Sequence, residues 1–378
     1  MRRILWLIVL AAGCGGQAAA PTSPPPPPVL RLFATNLEGI DAFVVNDDAS
    51  LSGQQRLSPT RGISVSSVVA GDGRYLYVAN VNGLEGYRID PATGALSPLP
   101  GSPFSTERGG LIADPLGRFV FHFGSGAAVV TLTAYRIDAA TGALSRAGVS
   151  SLPPALARVE PQGRFAFFTV LQNLWVYRID DSGTWTAIPG APYALPPEGA
   201  NASRFVFGRT GSSLYIGAQG TIDRLTHILA YRFDPTTGTP TLVAPQKAPE
   251  GRTMSSMAVS PDGGILYVAM RNTTNTDTQP PAVYAYRIDA SSGALAEAAN
   301  LTVPARMPVF SAELALSLDG RVLFMTLEPT PFVLPLAPAD LAVLRVDGAS
   351  MALAPGSPYG VGSDPHTLHV FKTQPPAR

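Results

Sequence analysis

Charged residues recur just ahead of short apolar runs along this chain: Arg61, Glu107 with Arg108, Arg158, Glu198, Arg204, Glu250 with Arg252, Arg306, Glu313, and Asp364 with His366. Arginine presents a planar, permanently charged fork that grips carboxylate or phosphate oxygens and polarises a carbonyl. A carboxylate beside it can take a proton or orient a water. Gathered at one place, these residues would make an arginine-rich ring with a few carboxylates, suited to a carboxylate, a phosphate or a polarised carbonyl. Glu250, Arg252, Glu198 and Arg204 are the candidates for catalysis. Arg61, Glu107, Arg108, Arg158, Arg306, Glu313, Asp364 and His366 would form a ligand rim around them. The plainer alternative is a solvated, salt-bridged rim that holds no ligand.

Other chemistry finds little support. No Gly-x-Ser-x-Gly, His-Glu-x-x-His or paired-cysteine motif occurs, so no cofactor and no metal are expected. His366 and His369, three apart on an extended run, point to opposite sides and make a poor metal pair. The Asn46-Asp47-Asp48 stretch lacks the spaced oxygen ligands of a calcium loop. Gly124-Ser125-Gly126 has no helix behind it to cradle a phosphate.

The elements that must position these residues are legible as repeats. Tyr87-Arg88-Ile89-Asp90 returns at Tyr135, Tyr177, Tyr231 and Tyr286, and in degraded form at Leu344 and Phe43, so the phrase occurs seven times. Most copies run on into a Thr-Gly or Ser-Gly turn, as in Asp138-Ala139-Ala140-Thr141-Gly142. A second turn signature alternates with it, as in Ser260-Pro261-Asp262-Gly263 and Ser317-Leu318-Asp319-Gly320. A glycine supplying positive φ after Asp or Pro closes a tight hairpin. Each unit therefore reads as four short antiparallel strands, and a period in the forties to fifties marks a radial repeat. The expectation is an all-β fold, a seven-bladed β-propeller of four-stranded antiparallel blades. The first copy lacks an inner strand, and His366 to Phe371 is an orphan run. Pairing that C-terminal strand into the first blade would close the ring and remove two free sheet edges.

The 378 residues are 46% hydrophobic and 14% charged with no net charge, and 37 Gly and 37 Pro favour turns over helices. Charge balance argues against nucleic acid as a partner, because phosphate binding needs a basic face. Arg2 and Arg3 precede an apolar run, Ile4 to Ala12, too short to span a bilayer, and small residues lead to Cys14, the only cysteine. Residues 1–14 resemble a bacterial lipoprotein signal, which implies lipidation of Cys14 and a membrane partner through that anchor. Gly15 after the cysteine favours the outer membrane; a secreted or soluble periplasmic protein is the alternative. Residues 15–29 form a Pro-rich spacer, 30–372 the propeller and 373–378 a disordered tail. A monomer is expected.

The phrase Tyr-Arg-Ile-Asp-x-x-Thr-Gly-Ala-Leu, with Gly101-Ser102-Pro103-Phe104 and Gly356-Ser357-Pro358-Tyr359, resembles the bacterial lactonase-type seven-bladed propellers named for 6-phosphogluconolactonase. The likeness spans about residues 30–371. It implies a His, a Glu and arginines at the mouth of the central channel. None of His122, His227, His366 or His369 lies in a His-x-His phrase, and an exported protein does not meet cytosolic sugar phosphates. Two functions stay open. One is an envelope-anchored module binding an unknown small molecule or envelope protein; the other is a lactonase-like hydrolase opening a sugar or organic-acid lactone. A hydrolase would bring a Glu, an Arg and a His or second acid to one point in a concave pocket. The longest loops, 219–227, 272–281 and 328–340, fall in the last three repeats, where a partner could also dock.

Overall fold

The computed structural model describes residues 28–57, 64–71, 73–124, 130–153, 157–199, 202, 204–208, 212–220, 225–249, 251–272, 280–329 and 338–373. Cys14, the Pro-rich spacer up to Pro27, Arg61, Glu250, most of the 272–281 and 328–340 loops and the last five residues lie outside the described residues.

The described residues form seven antiparallel sheets, each a blade of a β-propeller. Blades two, three, five and six each take four consecutive strands in simple up-and-down order. Blade six is representative, with Arg252–Val259 innermost, then Ile265–Asn272, Ala282–Ile288 and Leu295–Thr302. Blades four and seven add short flanking strands, Tyr193–Ala194 and Tyr359–Val361, to their third strands. Blade one takes three strands, Val29–Asn36, Gly39–Val45 and Leu51–Leu57, and borrows its innermost strand, Thr367–Thr373, from the far end of the chain. That is the expected closure, and it gives blade one its fourth strand.

The core is divided among the seams. Each of the seven apolar clusters lies between two neighbouring blades, and none sits within a single sheet. Leu323, Met325 and Leu344 of blade seven, for example, pack on Tyr267, Ala269 and Val283 of blade six. A blade alone would leave both faces wet, so the ring is stable only when every seam is filled.

The repeated phrase explains how the seams are registered. In Asp138-Ala139-Ala140-Thr141-Gly142 the aspartate carboxylate accepts from the Ala140 and Thr141 amides and the Thr141 hydroxyl, at 3.0, 2.8 and 2.9 Å. Gly142 closes the turn at φ 78°, and a Cβ there would lie 2.5 Å from the Tyr75 ring of the preceding blade. In four copies of the phrase the arginine then reaches into the turn of the next blade: Arg88 to Thr141, Arg136 to Asp181, Arg178 to Thr236 and Arg232 to Ala290, all through backbone carbonyls. In blade one the third-strand position holds Val44, and its cross-strand partner Arg31 supplies the contact instead, donating to the Ala92 carbonyl.

Candidate active site in the axial channel

The innermost strands surround the axis, and those of blades four to seven bound a cavity of about 180 Å³ lined by Arg158, Arg204, Phe205, Ser256, Met257, Glu313 and Leu314. Pockets for drug-sized ligands run from about 300 to 1,000 Å³, so this one suits a small metabolite. Arg158 opens the innermost strand of blade four and Arg204 that of blade five, while Ser256 and Glu313 come from blades six and seven.

Glu313 is the centre of the arrangement. Its backbone is fixed by two hydrogen bonds with Thr326, the amide donating to the Thr326 hydroxyl at 2.7 Å and the Thr326 amide donating back at 3.0 Å. The Ser256 hydroxyl donates to the carboxylate at 3.1 Å and accepts from the Leu314 amide at 3.1 Å. Burial raises the Glu313 carboxyl above the usual range, opposed by the charge of Arg204, the Ser256 hydrogen bond and the charge of Arg158. Burial also lowers the Arg158 guanidinium; Glu313 pulls it back up and the like charge of Arg204 lowers it further. Arg158 lies deep among protein atoms yet keeps solvent-accessible surface, because it projects into the open channel. Arg204 is steered by its Nε, which donates to the Ser255 carbonyl across the blade seam.

The channel thus brings Arg158, Arg204 and Glu313 together and leaves the other described candidates apart. Glu198 sits in a one-turn 3-10 helix, Pro197–Gly199, outside the cavity. Arg252, half-buried, donates to the Pro280 carbonyl at 2.7 Å instead of facing the cavity. Arg306 is mostly exposed and stands 3.6 Å from Asp340 as a rim ion pair. Glu107 and Arg108 are exposed; Glu107 acts electrostatically on His122, whose imidazole is driven towards the neutral form by burial. Asp364 and His366 precede the closing strand, where the His366 Nδ1 donates to the Asp364 carbonyl at 2.9 Å. Ser256 is the member that sequence reasoning missed. A serine inside an apolar run carries no signal of its own, since its partner comes from another segment.

Among the described residues no helix is long and apolar enough to cross a membrane, and no group of His, Cys, Asp and Glu is placed to hold a metal ion. No family model and no curated protein matches the chain. Solved structures do. A periplasmic gluconolactonase from Pseudomonas aeruginosa superimposes with a TM-score of 0.68 at 20% identity, over 91% of this chain and 99% of that one. A candidate 6-phosphogluconolactonase from Bacteroides fragilis gives 0.65 at 14%, over 90% and 98%. A hypothetical selenium-binding protein from Sulfolobus tokodaii gives 0.65 at 10%, over 92% and 95%. These likenesses identify the scaffold, which hosts more than one function: the chain is a seven-bladed propeller of the kind found among lactonase-like proteins.

Proposed function

We propose that the protein is an exported lactone hydrolase working in the axial channel. The observation that carries this reading is the convergence of Arg158, Arg204 and Glu313 on one small cavity. Two guanidinium groups facing one carboxyl favour the oxyanion that develops when water adds to a lactone carbonyl. Glu313, with its carboxyl raised by burial, suits a general base at neutral pH. In the step proposed, Glu313 takes a proton from water, hydroxide adds to the carbonyl carbon, and the arginines hold the resulting oxyanion. The acyl C–O bond of the ring then breaks, and the proton returns to the ring oxygen to give the open hydroxy acid. The signal-like residues 1–14 support anchoring through Cys14, and together with the periplasmic Pseudomonas gluconolactonase they favour export and an unphosphorylated substrate.

The test is hydrolysis of a panel of five- and six-membered lactones by the purified protein. Glu313→Gln and Arg204→Ala should each lower kcat/KM about 100-fold, and Arg306→Ala should leave it unchanged. Lactones bound but not hydrolysed would return the protein to the binding-module reading.

A further inference from the structure

We propose that the axial cavity selects lactones that carry a carboxylate of their own, and that Arg158 is the fork that holds this second acid group. What becomes of the ligand rests on the hydrolase reading given above; its charge rests on the cavity alone.

Three of the described residues that line the cavity are charged: Arg158, Arg204 and Glu313. A guanidinium stays protonated at any working pH. With Glu313 ionised, as a base must be, the lining therefore holds one positive charge in excess. Among the described residues, neither arginine forms an ion pair with a carboxylate. Each donates to one backbone carbonyl, Arg158 Nη1 to Ala157 at 3.2 Å and Arg204 Nε to Ser255. The remainder of each five-donor fork makes no hydrogen bond to a described residue. The charges acting on Arg158 are Glu313 and Arg204, both members of the lining. A cation set this deep without a carboxylate beside it is poorly stabilised, and an anionic ligand makes good the deficit.

The proposed step conserves the excess. When Glu313 takes a proton from water, its negative charge passes to the oxyanion, so the sum over the site does not change. A neutral lactone leaves one positive charge unmatched from binding to ring opening. A lactone with one carboxylate cancels it, giving one guanidinium to each anionic group at the tetrahedral stage. A phosphate, with nearly two charges at neutral pH, overshoots that balance.

The two forks are not equivalent. Arg204 is steered by the Ser255 carbonyl, beside Ser256, whose hydroxyl donates to Glu313 at 3.1 Å. Its charge acts on Glu313 more strongly than that of Arg158. Arg204 thus belongs with the base at the reacting carbonyl. Arg158 opens the two-residue inner strand of blade four and donates only to its own chain neighbour among the described residues. Its fork is left for a group elsewhere on the lactone ring. Beyond the lining the balance tilts the same way. Arg271 stands over the Phe310 ring at 5.3 Å, its guanidinium lowered by burial and by the like charge of Arg204. Glu328 is raised chiefly by burial, which disfavours a compensating negative charge there.

Three ring ethers that cannot be hydrolysed read the preference on the wild-type protein. These are tetrahydrofuran-2-carboxylate, tetrahydrofurfuryl alcohol and tetrahydrofurfuryl phosphate, titrated by calorimetry at pH 7. The carboxylate should bind about 10- to 100-fold more tightly than the alcohol, the margin of a charge-assisted hydrogen bond, and more tightly than the phosphate. Arg158→Gln should erase the margin and Arg158→Lys should keep part of it. Arg146→Gln, at an exposed position on the outermost strand of blade three, should leave it intact. Equal affinity for carboxylate and alcohol, no binding of either, or tighter binding of the phosphate overturns the proposal. A margin that survives in Arg158→Gln, or in full in Arg158→Lys, overturns the role of Arg158. If Arg158→Gln does not fold, the wild-type comparison and the lysine variant decide. No probe contains a lactone carbonyl, so failure of the hydrolase reading shows separately, as tight binding of the carboxylate without hydrolysis of the matching carboxylated lactone.

Discussion

The Arg178 guanidinium lies 4.8 Å from the centroid of the Phe165 ring, over its face, and donates a 2.7 Å hydrogen bond to the Thr236 carbonyl of the next blade. Arg136 repeats the relationship over Phe119 at 4.7 Å. The arginine of the repeated phrase is thus a strut between blades on the face opposite the candidate site. Its aromatic partner keeps its stem in place.

Removing one strut should weaken the ring modestly. Arg178→Ala should cost about 1–2 kcal/mol from the lost ring contact and hydrogen bond, and Arg178→Lys should recover only part. Urea denaturation of both variants measures this, and an Arg178→Ala midpoint equal to wild type would refute the role.

Closure can be probed through Phe371, which is buried and meets Phe33 edge-on at 4.9 Å and 84°. Phe371→Ala should cost about 3–5 kcal/mol, the usual range for a deleted core phenylalanine. Because the lost packing joins the last strand to the first blade, hydrogen exchange should rise first in Val29–Asn36 and Thr367–Thr373. Exchange that rises uniformly over all blades would contradict that localisation.

His369 gives the ring an acid limit. Its Nε2 lies 2.8 Å from Ser67 Oγ, which lies 2.8 Å from Thr35 Oγ1, so three segments meet at this imidazole. Burial pushes it down to about 4, against a hydrogen bond with the Ser67 backbone and with help from His366. The unfolded chain takes up this proton near pH 6.5 and the folded chain does not, so stability falls as pH drops from 6.5 towards 4. His369→Gln should flatten the dependence of the urea midpoint across that window; a slope identical to wild type would show that other groups set it.

Ser256 offers a graded handle on the candidate base. Its hydroxyl favours the ionised form of Glu313, so Ser256→Ala should move the acid limb of lactone hydrolysis to higher pH, by about half a unit to one unit. The pH profile of kcat/KM measures the shift. Movement towards lower pH would mean that Glu313 is not the group whose ionisation governs the rate.

The blades were legible because their signals are local. Asp138 and Thr141 satisfy their own turn, and Gly142 supplies its positive φ, so the phrase carries its structure within a few residues. The channel was legible in part. Arg158, Arg204 and Glu313 are charged residues at the mouths of inner strands, a position that a sequence reader can weigh. Glu198 and Arg252 occupy similar positions in the sequence yet turn elsewhere, since a short helix and the Pro280 carbonyl take them. Ser256 stayed hidden for the opposite reason. Its partner Glu313 stands 57 positions away, and only the assembled ring brings the two close.

Because blade one is finished by a strand from the other terminus, no partial chain can complete the circle. During synthesis the first three strands must wait, one edge open, until Thr367–Thr373 has emerged. The residues just ahead of that strand are tied to the same blade, the Gly362 amide to Asp41 and the Ser363 amide to Glu38. A protease that trimmed the closing strand would therefore reopen the circle, leaving no half-working form behind.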